Sequence, residues 1–217
     1  MTVLLVDDFN RANSATVGGG WTEVEGTGAT VEIASNACLF TSADNTLEPI
    51  LHQAFTAQTT GVITWSFDMS WTRVGEEGTY RLYMQMGDSA SIVDSNADTG
   101  IGVNLIWTAI SGTHESLASR DGGVNTSIKV VSGAATIEVL VDMDAQTYDV
   151  AVDATTEATD VAFDTAVTTI DTVRFLTDAL ATTNFTGTTF DNVSITIPDS
   201  GLSIPIVRYY YHQMERN

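Results

Sequence analysis

The stretch GVITWSFDMSWT, residues 61–72, decides the fold. Ile63, Trp65, Phe67, Met69 and Trp71 fall on one side of an extended chain, and Thr64, Ser66, Asp68 and Ser70 on the other. Successive side chains of a strand point to opposite faces, so this period of two predicts a long strand with one buried face and one wet face. The pattern recurs in both directions. In TYRLYMQMG (79–87), Tyr80, Leu82, Met84 and Met86 alternate with Arg81, Tyr83 and Gln85. In ATIEVLVDMD (135–144), Ile137, Val139, Val141 and Met143 share a side, and DNVSITIP (191–198) turns Val193, Ile195 and Ile197 inward. Turn signals separate such runs: GGG at 18–20, GEEG at 75–78, DGG at 121–123 and DAQT at 144–147.

No stretch before residue 200 carries a helical stripe of apolar residues. ADNTLEPILHQAFTA (43–57) has some helical spacing, but Pro49 makes it an edge strand or a short helical turn. Roughly a dozen strands result, spaced as in an all-β protein with two antiparallel sheets packed face to face. At 217 residues, 43% of them hydrophobic, the chain suits one large core. Residues 1–198 read as a single β-sandwich domain, and PDSG (198–201) leads into a C-terminal segment, 199–217.

Charge narrows the function classes. Eight Lys and Arg stand against 28 Asp and Glu, a formal net charge of −20. Binding a phosphate backbone requires clustered cations, so a nucleic-acid partner is excluded, as is attraction to anionic membranes. The acidity reads either as a solubilising surface or as adaptation to a salty habitat, where self-repulsion is screened. No apolar run is long enough to span a bilayer, and MTVLLVDDF lacks the basic start and length of an export signal. The expectation is synthesis in a host cytoplasm without a signal peptide. Cys38 is the sole cysteine, in NACLFT, so no intrachain disulfide forms, and it reads as a packing residue. Three histidines and one cysteine make a zinc site improbable.

Several stretches together resemble the concanavalin A-like lectin/glucanase family, a two-sheet jelly roll, in the form found in phage and bacterial proteins. DDFNRANSATVGGGW (Asp7 to Trp21) resembles the D-F-x-R … G-x-x-W opening of such domains. IEVLVDMDAQTYDVAVD (Ile137–Asp153) resembles the family's hairpin, in which a strand ends in Asp, turns, and returns through Tyr to a second Asp. IDTVRF and TTFDNVSIT resemble its last two core strands. The likeness implies that the first and last strands lie side by side. Asp7 and Asp8 would then approach Asp191 and Asn192. Those oxygens either hold a structural calcium, as similar domains often do, or cap turns. No other cofactor is expected.

Enzymes of this fold leave recognisable traces. Glycanases place carboxylates as Glu-x-Asp-x-Glu or Glu-x-Asp-x-x-Glu on one strand face, and neither Glu23-Val24-Glu25 nor Glu138 with Asp142 reproduces that. Glu76 and Glu77 sit in a glycine-flanked loop. Lyases of the fold use a Gln-x-His strand and a basic cleft. His52-Gln53 has the wrong order, and an acidic chain is expected to repel a polyanion. The G-x-S-x-G elbow is absent. The chain therefore reads as no enzyme.

Glycan binding is the better fit. Sugars are held by flat aromatic faces with Asp, Asn and Arg around them. Trp107 stands near His114, Arg120 and Asp121, while Arg81 and Tyr83 lie on the polar side of their strand. Trp107 reads either as core or as a sugar platform.

The tail GLSIPIVRYYYHQMERN (201–217) differs from everything before it. With Ser203 as N-cap and Pro205 in the first turn, Ile206, Tyr210 and Met214 recur at helical spacing. An extended arm is equally allowed, since tyrosine and β-branched residues suit strands. Arg208 and Arg216 offset Asp199 and Glu215, so this segment is neutral. Ile204, Ile206, Val207, Arg208, Tyr209, Tyr210, Tyr211 and Met214 form the expected docking surface for other virion proteins or symmetry mates. The whole reads as a virion structural protein, a capsid decoration, spike or tail component, that also touches host-surface glycans. The alternative is a free carbohydrate-binding module or lectin, with a glycanase or lyase last.

Overall fold

The computed structural model describes residues 1–25, 28–42, 49–71, 81–92, 99–111, 114–131, 133–178 and 185–198. The C-terminal segment and every docking residue expected in it lie outside these. Among the described residues there are fifteen strands, numbered β1 to β15 in chain order, and no helix. All ladders are antiparallel.

The first sheet runs β13 (Thr155–Ala162), β12 (Thr147–Val152), β11 (Ala135–Asp142), β6 (Val62–Trp71), β15 (Phe185–Ile197), β4 (Ala37–Ser42), β3 (Ala29–Ala34), with β1 (Thr2–Asp7) also paired to β15. The second runs β10 (Val124–Val130), β9 (His114–Asp121), β8 (Ile101–Ser111), β7 (Arg81–Gly87), β14 (Ile170–Asp178), β5 (Ile50–Gln58), β2 (Thr22–Val24). The first and last strands are neighbours, as the resemblance implied, with Asp7 opposite Val193.

The period of two holds where it was clearest. Ile63, Trp65, Phe67 and Met69 of β6 and Ile137, Val139 and Val141 of β11 are buried in the main core. Phe175 of β14 crosses from the second sheet into an aromatic cluster of the first. Its ring centroid lies 6.0 Å from Trp65, 5.5 Å from Phe67 and 4.1 Å from Phe190. Cys38 is buried in the same core, where burial pushes its thiol pKa well up, so it packs rather than reacts.

Of the two expectations for the stretch around Pro49, the strand holds: Ile50–Gln58 is β5, paired along one side by β14 and on the other only over Ile50–His52 by the three-residue β2, so it lies near the edge of its sheet. Pro49 just precedes the strand, where its missing N–H breaks no rung of the ladder.

The opening motif is a clasp. Asp7 accepts hydrogen bonds from Phe9 N (2.8 Å), Arg11 Nη1 (2.9 Å), Arg11 Nη2 (2.8 Å) and Trp21 Nε1 (2.9 Å). Trp21 then packs on Phe9 and Phe175, so the clasp ties β1 to both layers. Gly19 is required beside it: at φ +65°, an added Cβ would stand 3.1 Å from Asp7 Oδ2. The hairpin aspartates also serve the backbone. Asp142 Oδ1 accepts from Asp144 N and Ala145 N, and Asp153 Oδ1 from Thr136 N.

Burial alone would raise the Asp7 carboxyl pKa. The Arg11 hydrogen bond, the Phe9 N–H, the Trp21 indole and the Arg11 charge outweigh it and hold the group below its ordinary value. A depressed carboxyl stabilises the fold above the unfolded pKa and loses that contribution as pH falls through the folded one. Asp7→Ala is expected to lower unfolding free energy by about 2–3 kcal/mol at neutral pH, read from the urea midpoint. The gap between mutant and wild type should close as pH drops below about 4.

Candidate functional site

Because Phe175 points into the sandwich, its neighbours Arg174 and Leu176 on β14 point away from it. The ladders extend both residues into rows across the outer face of the second sheet. Leu176 lies opposite Ile50 and Tyr83, and Tyr83 opposite Ile106. These four form a second buried apolar cluster, separate from the main core. Two residues along, Arg174 lies opposite His52 and Gln85, and Gln85 opposite Asn104. An apolar row and a polar row thus run side by side over β5, β14, β7 and β8.

The polar row is continuously hydrogen-bonded. Arg174 donates from Nε (2.9 Å) and Nη2 (2.6 Å) to Gln85 Oε1. Gln85 Nε2 donates to Asn104 Oδ1 at 3.1 Å, and Asn104 Nδ2 to Asp164 Oδ2 at 2.6 Å. Asp164, in the connection from β13 to β14, also accepts from Gly123 N and lies 3.6 Å from Arg120 Nε. Each amide presents its oxygen to the donor before it and its N–H to the acceptor after it. The result is an ion pair, guanidinium to carboxylate, bridged by two aligned amide dipoles and charge-assisted at both ends.

Gln85 and Asn104 are fully buried and Arg174 nearly so. Burying such groups is costly unless every one is bonded. That they stand outside the main core and are nonetheless buried shows that this face is covered rather than solvated. His52 ends the row on β5. Burial and, next, the Arg174 charge hold its imidazole below the usual range, so it is neutral at physiological pH. Strands β4, β6, β8 and β14 end, and β5, β7, β9 and β15 begin, at the end of the sandwich beyond the apolar row.

The expected glycan residues divide. Arg81 and Tyr83 stand on this outer face, as their strand pattern implied, although Tyr83 is buried within the apolar row. Arg120 reaches the row's end through Asp164, and Asp121 is exposed at the turn into β10. Trp107 is corrected: it is buried in the main core beside Leu105 and Leu117, because its place on β8 puts it on the same side as Val103 and Leu105. It offers no face to a sugar. His114 begins β9 opposite Ser111, and its side chain lies outside the described residues.

The expected calcium ligands are close but differently employed. Both Asp7 oxygens serve the clasp, Asp8 Oδ1 accepts from Asn10 N, and Asp191 Oδ1 from Asn192 N. Asn192 Nδ2 donates to Asp68 Oδ2 at 2.8 Å. Burial raises the Asp191 pKa, and the charges of Asp68, Asp8 and Asp7 raise it further. Asp191 borders an open depression of ≈ 370 Å³ on the first sheet with Asp68, Asp153 and Thr136. Among the described residues, no three His, Cys, Asp or Glu converge as metal ligands.

Arg174, Asn104 and Asp164 were not singled out from the sequence, His52 was weighed only as half of His52-Gln53, and Gln85 only as one of the alternating positions of its strand. The available signal was a lone polar residue inside a run apolar on both sides, as in TVRFL and GVNLIW.

No protein-family model matches the chain, and no curated protein matches it. Solved structures do. A sialidase superposes with a TM-score of 0.70 at 14% identity, over 98% of this chain but 20% of its own length. The CBM2 module of the evolved Dit of Lactobacillus casei BL23 phage J-1 superposes at 0.63 and 10% identity, over 89% of this chain and 94% of that one. An alginate lyase of Pseudomonas aeruginosa gives 0.55 at 9% identity, over 77% and 86%. The chain has the fold these share, a concanavalin A-like jelly-roll sandwich.

The bridged ion pair has a measurable signature. Gln85→Leu leaves the Arg174 fork without its Gln85 acceptor and should cost about 2–3 kcal/mol in chemical denaturation. Adding Arg174→Met should recover part of that loss, because an apolar pair replaces a broken polar one. A purely additive double mutant would contradict the bridge.

Proposed function

We propose that this chain is a non-enzymatic, carbohydrate-binding β-sandwich of a virus particle, displayed by its body and attached through residues 199–217. The observation that carries the reading is the end of the polar row that reaches solvent, where Arg120 and Asp164 are partly exposed and Asp121 is exposed. Such groups offer directional partners for sugar hydroxyls, while Tyr83, Ile106, Leu176, Gln85 and Asn104 behind them are buried and hold the face in shape rather than touch a ligand. The phage module supports the virion setting, because it matches this chain nearly end to end as a unit of similar size. The neutral, tyrosine-bearing tail supports attachment, since its aromatic face suits a protein neighbour.

A lyase is the second reading, and one observation favours it: His52, Arg174 and Gln85 stand adjacent in one row. A base beside groups that neutralise a uronate is what such chemistry requires. Against it, Gln85 and Arg174 are closed off and bonded to each other.

Two experiments test the proposal. On an array of surface glycans the full chain should bind at least one class, and Arg120→Ala should weaken that binding about tenfold or more. Uronate polymers should yield no unsaturated product; appearance of one would move the assignment to the lyase. Removing residues 199–217 should leave the strand circular dichroism and melting temperature intact while abolishing incorporation into particles. Normal incorporation of the shortened chain would remove the structural role.

A further inference from the structure

We infer that residues 206–211 (IVRYYY) of one copy of this chain add as an antiparallel strand to the open edge of β1 in a second copy. This rests on the reading that residues 199–217 attach the chain, and it names what they attach to. One side of β15 is flanked by β4 over residues 185–190 and by β1 over residues 193–197. β3 continues the sheet beyond β4, but among the described residues β1 pairs with β15 alone. β5 of the second sheet approaches β1 along the same flank, and β2 covers β5 only as far as His52. The opposite flank is tied together: its edge strands β10 and β13 are joined by Lys129 and Glu157 at 2.8 Å.

The open edge is also apolar. A register shift between Val3 and Leu5 sets Val3 opposite Thr196 and Val6 opposite Ser194, on the outer face, where the two valines are 56% and 69% exposed. Leu5 is buried on the inner face, and Leu4, with Phe55 of β5, is only partly buried against the core. Edge strands are ordinarily protected by lysine, proline, inward charges or a bulge, because their unpaired N–H and C=O groups template another strand. Apart from the shift at Leu4, TVLLV (residues 2–6) carries none of these.

Position, length and charge select the occupant. The described residues end at Pro198, one past Ile197, and Ile197 lies opposite Thr2. Two copies that meet at this flank therefore bring an acceptor edge and the root of a donor segment to the same contact. IVRYYY has six residues, as β1 has, and its β-branched and tyrosine side chains suit a strand. Pro205, which has no N–H to donate, ends the run on its near side. Arg208 is the only charged residue of the donor, whereas β1 ends in Asp7 and is followed by the exposed Asp8. Bodies of such negative charge repel one another, but a basic segment is drawn to that edge. In its own chain the short path from Pro198 lays the segment parallel to β1, the weaker ladder, while a second copy can present β1 antiparallel to it. Exchange across a two-fold axis gives each copy one donor and one acceptor, so the assembly closes at two.

The test uses the full chain. Its mass by sedimentation should rise with concentration from one copy to two. Val3→Lys with Val6→Lys should weaken that association about tenfold or more while leaving the strand circular dichroism unchanged. Ile206→Asp with Val207→Asp should do the same from the donor side, and decides alone if the lysine pair disturbs the fold. Separately purified Val6→Cys and Tyr209→Cys chains, mixed with a short bis-maleimide, should join to each other, since the native Cys38 is buried. A cross-link that forms only within one chain carrying both new cysteines places the segment on its own β1 and overturns the inference. An association that survives Ile206→Asp with Val207→Asp means that another surface joins the copies, and overturns it too, as does a chain that stays single at every concentration. Particle incorporation is read apart from these. If the lysine pair incorporates normally while the shortened chain does not, attachment through the tail stands, its acceptor is another protein, and the β1 edge is excluded.

Discussion

The position of Phe175 sets the phase of everything around it. Its ring, between Trp65, Phe67 and Phe190, locks β14 against the first sheet. Aromatic side chains bury the most apolar area per residue, and packing at these centroid distances is favourable beyond area alone. A strand anchored this way cannot slip by one residue, because slippage would move its whole inward set to the other face. Arg174 is therefore held outward, and with it the register that sets His52, Gln85 and Asn104 beside it. The polar row is thus a consequence of the core.

That dependence explains what was legible in the sequence. Strands of the first sheet have one buried face and one wetter face, so β6 and β11 declare themselves by strict alternation. The second sheet is buried on both faces over β7, β8 and β14, which blurs the alternation. RLYMQM reads as a strand, yet nothing local tells that Tyr83 and Gln85 are as buried as Leu82 and Met84. Trp107 could equally have faced either way, and only its register with Leu82 and Leu117 places it inside. The polar row joins residues far apart in sequence: Arg174 bonds Gln85, and Asn104 bonds Asp164. Such juxtaposition follows from strand order, which periodicity does not contain.

The acidity also takes on a structural meaning. Many of the aspartates accept backbone N–H groups near their own turn: Asp7 from Phe9, Asp8 from Asn10, Asp88 from Ala90, Asp142 from Asp144. Others close longer loops, as Asp171 does with Ser89 and Asp149 with Asp160. A fold made of short strands needs many turns, and the short aspartate side chain reaches a nearby N–H that glutamate overshoots. The excess of Asp over Glu follows from this need, whatever the salinity of the habitat. It also accounts for the opening and hairpin motifs, whose aspartates serve the backbone and the clasp.

With so many carboxylates committed to turns, the distribution of the few cations becomes informative. Among the described residues Arg11 is paired with Asp7 and Lys129 with Glu157, while Arg174 bonds Gln85 and is linked through Asn104 to Asp164. A guanidinium buried on the outer face of a sheet is tolerated only where such a chain of partners satisfies it. The polar row is therefore as much a structural element of the second sheet as the aromatic cluster is of the first.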